Sequence, residues 1–73
     1  MTPEAFDAAL RARGIELTLR RNRLHVWPGR AYRLGLSHAE RDYVAAHREA
    51  LKEVVRAGRP PTTVQWQPPD QPG

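Results

Sequence analysis

Between Ile15 and Trp27 the chain alternates apolar and polar residues on both sides of a polar break: Ile15, Leu17 and Leu19 before it, Leu24 and Val26 after it. That period of two predicts two half-buried strands. With Arg21-Asn22 as the loop, Leu19 faces Leu24 and Leu17 faces Val26. The opposite face then pairs Glu16 with Trp27, Thr18 with His25 and Arg20 with Arg23. The aliphatic residues share one face, so the register is self-consistent.

Upstream the pattern changes to helical spacing. Thr2 is placed to cap a helix, Pro3 suits its first position, and Glu4 and Asp7 complement its positive end. Phe6 and Leu10 fall on one face and Gly14 stands where a left-handed terminator is wanted. Downstream, Pro28-Gly29 closes the second strand, and residues 28–36 read as a basic loop carrying Tyr32 and Leu34. Ser37 with Glu40 forms a capping-box pattern. Val44, His47, Leu51, Val54 and Val55 then recur on one face, and no breaker interrupts residues 38–57, so periodicity predicts one helix of about five turns ended by Gly58. From Arg59 onward Pro60, Pro61, Pro68, Pro69 and Pro72 predict an extended or disordered tail. The expected organisation is a folded unit over residues 1–58 and a proline-rich tail over 59–73. The expected core is Phe6, Leu10, Ile15, Leu17, Leu19, Leu24, Val26, Val44, Leu51 and Val54.

Seventy-three residues make one small domain, and a chain of this size buries only about 60% of its unfolded surface. With no cysteine, no disulfide or thiolate metal site reinforces it, which fits a reducing, cytoplasmic setting. No leader pattern and no membrane-length apolar run is present. Net charge is +4, and all but Lys52 of the 12 basic residues are arginine. The distribution is more informative than the sum. Residues 17–39 contain no acid, yet hold Arg20, Arg21, Arg23, Arg30 and Arg33 with His25 and His38. Two arginines opposed across a hairpin repel; a hairpin that meets an anionic partner gains from them.

Catalytic patterns are lacking. His25, His38 and His47 have no zinc-site spacing. His47 lies on the apolar stripe and reads as a packed side chain. Ser37 is the single serine, and capping accounts for it. There is no phosphate-binding glycine loop and no nucleophile elbow. The residues predict no enzyme, no cofactor and no metal. Trp27 and Tyr32, beside the arginines, suit stacking on bases or one wall of a peptide groove. Trp66, between prolines, is at most a short recognition element.

The combination Leu10-Arg11-Ala12-Arg13-Gly14-Ile15-Glu16-Leu17, then Arg23-Leu24-His25-Val26, Leu36-Ser37 and Ala46-His47-Arg48-Glu49-Ala50-Leu51 resembles the TubC-type, or β-hairpin, N-terminal docking domains of nonribosomal peptide and polyketide synthetases. The resemblance runs from about Phe6 to Gly58. It implies an α+β fold of helix, β-hairpin and two further helices (αββαα), with a bend near His47-Arg48 that periodicity alone does not reveal. It also implies capture of a short acidic C-terminal peptide of a partner protein along the hairpin, and it admits a homodimer. Carried onto this sequence, the peptide-binding residues are Arg20, Arg21, Arg23 and His25. Trp27 joins them by position, and Arg30 and Arg33 are accessory. The chain departs from the family at its tip, Arg20-Arg21-Asn22-Arg23, where the family is glycine-rich or acidic. It departs again at Thr18, where an aromatic is common, and in the longer loop from Trp27 to Leu36. No synthetase follows within these residues, so an excised domain and a free-standing relative both fit. Small relatives in bacterial mobile elements and phages make a basic nucleic-acid-binding protein the alternative function.

Overall fold

The computed structural model describes residues 1–58 and 63–69. Its elements are α1 (Pro3–Ala12), β1 (Glu16–Arg20), β2 (Arg23–Trp27), the one-turn α2 (Ala31–Leu34), α3 (His38–Ala46) and α4 (Arg48–Arg56). This is an α+β fold in which helices pack on one face of a two-stranded antiparallel hairpin. Among the described residues no helix is long and apolar enough to cross a membrane.

The local signals act as the sequence predicts. The Thr2 side chain accepts from the Ala5 amide and Pro3 opens α1. At its other end the Ile15 amide donates to the Leu10 carbonyl and the Gly14 amide to that of Arg11. This is the Schellman arrangement, with Gly14 at φ 82° and the two buried residues Leu10 and Ile15 in the flanking positions. The hairpin register is Glu16↔Trp27, Leu17↔Val26, Thr18↔His25, Leu19↔Leu24 and Arg20↔Arg23, as the alternation requires. Ser37 and Glu40 form a complete capping box at the start of α3.

Phe6, Leu10, Ile15, Leu17 and Leu51 are buried, as expected, and Leu24, Val26 and Val44 pack against them half-buried. Leu19 and Val54 are half-buried and stand outside this cluster. Leu19 occupies the rung next to the turn, where its partner Leu24 is also only half covered. Three core residues were not foreseen: Ala31, Leu36 and Trp66. The loop expected over residues 28–36 contains α2, which carries Ala31 into the core.

Two expectations need correction. Residues 38–57 are not one helix. His47, at φ −116° and ψ 28°, ends α3 and begins α4, the bend that the family resemblance implied. Its ring lies against Tyr43, tilted by 33° with centroids 4.1 Å apart, and Tyr43 in turn stacks on Phe6 at 4.2 Å. The Phe6–Tyr43 contact on α3 and the buried Leu51 on α4 tie the two helices to the same core on either side of the bend. The second correction concerns the tail. Residues 63–69 form no helix or strand, but they are not independent of the domain: Trp66 is only 9% exposed and belongs to the core. The rest of the predicted tail, 59–62 and 70–73, lies outside the described residues.

Trp66 is seated between two glycines. A Cβ on Gly14 would lie 2.1 Å from the Trp66 amide nitrogen, and one on Gly35 would lie 2.7 Å from its indole Nε1. The Arg30 guanidinium stands over the ring, 5.9 Å from the centroid, within cation–π range.

Arg13 ties α1 to the start of α3. It pairs with the Glu40 carboxylate at 2.6 Å and also donates to the Gly35 carbonyl. Burial pushes the Glu40 carboxyl up, but the Ser37 backbone amide and the Arg13 guanidinium outweigh it and hold the group below its ordinary value of 4.5. A carboxylate held low in the folded state contributes stability that is complete above its unfolded value and is lost as pH falls through the folded one. The melting-temperature advantage of the parent over Glu40→Gln should therefore shrink below about pH 4. A difference that stays constant from neutral pH to about pH 3 would show that the Glu40 charge contributes nothing to folding.

Candidate cationic hairpin site

Arg21 and Asn22 both adopt left-handed conformations, at φ 53° and 62°. This is the two-residue turn whose twist matches the hairpin. Asparagine tolerates it; arginine does so at a cost of about 1–2 kcal/mol. The tip is held from below, where Arg56, in the last turn of α4, donates to the Asn22 side-chain oxygen.

The hairpin places Arg20 and Arg23 directly opposite each other and His25 one outward rung further along β2. With Arg21 these side chains line one open depression of about 670 Å³. A second, of about 710 Å³, runs from Arg21 in the turn along β2 to His25 and is completed by Arg48 and Lys52 of α4. Four of the predicted residues, Arg20, Arg21, Arg23 and His25, are thus brought together. None of Arg20, Arg21, Arg23 and Arg48 forms an ion pair with a described residue; Lys52 pairs with Glu49 at 3.2 Å and Arg56 with Glu53. The site carries more positive charge than its surroundings neutralise.

Trp27 does not join this group. It lies four residues along β2 from Arg23, about 13 Å at the strand rise, on the same outward face but at the open end of the hairpin. There it is 63% exposed and borders a separate cleft of about 580 Å³ with Arg30 and residues 63–66. Arg30 is directed to Trp66. Arg33 is exposed on α2 and borders neither depression. The sequence reading missed Arg48 and Lys52. Their signal was present: Arg48, Lys52 and Arg56 recur every four residues, a basic stripe along α4 that ends beneath the turn.

Among the described residues, no three His, Asp or Glu side chains converge as a metal site. The arrangement is suited to holding anionic groups by charge-assisted hydrogen bonds. Comparison with protein-family models, with curated proteins and with solved structures gives no match to this chain.

Proposed function

We propose that the domain is a non-catalytic docking module whose basic hairpin captures a short, extended acidic segment of a partner protein in the cytoplasm, as TubC-type docking domains of synthetases do. The observation that carries this reading is the convergence of cations from the turn, β2 and α4 on one depression beside a strand edge that, among the described residues, is unpaired. A strand edge offers main-chain hydrogen bonds to an extended peptide, and guanidinium groups read carboxylates in pairs of hydrogen bonds. The left-handed Arg21 and the opposed Arg20 and Arg23 each cost the fold stability, which favours a role for them outside it.

The test is a triple change, Arg20→Gln, Arg21→Gln and Arg23→Gln. The amide spectrum and melting temperature should match or slightly exceed those of the parent, because mutual repulsion is removed. Affinity for a labelled acidic peptide, followed by fluorescence anisotropy, should fall at least about a hundredfold, since each charge-assisted contact contributes roughly 1.5–3 kcal/mol. Unchanged peptide affinity would end the proposal. A parent that ignores acidic peptides but binds DNA or RNA, with affinity falling steeply in salt, would replace it with the nucleic-acid reading.

A further inference from the structure

The depression along β2 is lined by consecutive residues of that strand and by none of β1, so it follows the outer edge of the hairpin. Its two walls come from opposite faces of the sheet. Arg23 and His25 project from the outward face. Arg48 and Lys52 come from α4, which packs against the inward face, where Leu24 lines the same depression.

The inner wall is costly as it stands. The Lys52 side chain is only 9% exposed, yet its ion-pair partner among the described residues is Glu49, which is 82% exposed. Because the Glu49 carboxylate is solvated, the pair returns only part of the cost of burying the ammonium, and a second, less exposed anion would return more. Arg48 lies in the first turn of α4, where the positive helix end disfavours a cation. Both placements become favourable when a carboxylate enters the depression.

We infer that the captured segment carries two consecutive acidic residues, one read by Arg23 and His25 on the outward face and the next by Arg48 and Lys52 on the inward face. The inference rests on the docking reading. A strand added to the β2 edge turns successive side chains to opposite faces, so neighbouring carboxylates meet the two walls in turn. Acidic residues one position further apart point to the same face, and only one wall can engage them. The two walls thus select the spacing of the acids as well as their charge.

Two isomeric acidic peptides separate these cases, one with its two aspartates adjacent and the other with a single alanine between them. The parent should bind the adjacent isomer about tenfold more tightly by fluorescence anisotropy. That preference should vanish in Lys52→Met, which keeps the length of the side chain, and in Arg48→Gln, which alters an exposed position and leaves the fold intact by its amide spectrum. Equal binding of both isomers by the parent would overturn the inference and leave docking standing. A preference that survives in both variants would overturn it as well. Binding of neither isomer would bring down the docking reading, and this inference with it.

Discussion

Trp66→Ala lowers the stability of the domain by about 3–5 kcal/mol, the usual cost of emptying a buried aromatic site. For a chain of this size that is a fall in melting temperature of more than about 12 °C. Removing residues 59–73 should cost at least as much. The proline-rich composition alone suggests the reverse, that this stretch can be cut without consequence. The structure reverses that expectation because one side chain, 9% exposed, fills the space between Gly14 and Gly35. A melt of Trp66→Ala within about 3 °C of the parent would show that the indole is a passenger.

Gly14→Ala should be nearly as damaging, and Gly58→Ala supplies the control. Both glycines are left-handed, at φ 82° and 78°. A Cβ on Gly58 meets no described residue within 4 Å, whereas one on Gly14 runs into the backbone of Gln65 and Trp66. Gly58→Ala therefore costs only the conformational term, about 1–2 kcal/mol. Gly14→Ala costs that and also unseats the tail. The excess should disappear when Gly14→Ala is made in a chain that lacks residues 59–73, because the backbone that presses on Gly14 is then gone. Equal costs for the two glycine changes in the parent would show that residues 63–66 do not press on Gly14.

The contrast between these residues explains what could be read from the chain alone. The hairpin was legible to its last rung because alternation and a two-residue loop leave one register that gathers the aliphatic residues. Gly14 was legible as a helix terminator, but the second demand on it was not: a glycine needed for its φ and one needed for close approach look the same in sequence. Trp66 is a single anchor, and one buried residue has no period. The bend at His47 left no trace in the periodicity because the seven-residue spacing from Val44 to Leu51 suits an unbroken helix equally well. At the candidate site, Arg20, Arg21, Arg23 and His25 were found through the acid-free stretch that holds them. Arg48 and Lys52 escaped because their helix also carries Glu49 and Glu53, so its local charge looks balanced until α4 is placed beneath the hairpin.

Trp66 belongs to the last described segment, and the two glycines it packs against lie in the turn between α1 and β1 and just after α2. A chain emerging from the ribosome makes α1 and the hairpin long before it can close them. Until residue 66 is free to swing back, Gly14 and Gly35 face an open slot beside Leu10 and Ile15. Contacts that join distant parts of a chain form late, after the entropy of a long loop has been overcome. The nascent domain therefore passes through a stage with its apolar floor uncovered, when it is most prone to associate with other chains. Its final closure is a single docking event by one indole.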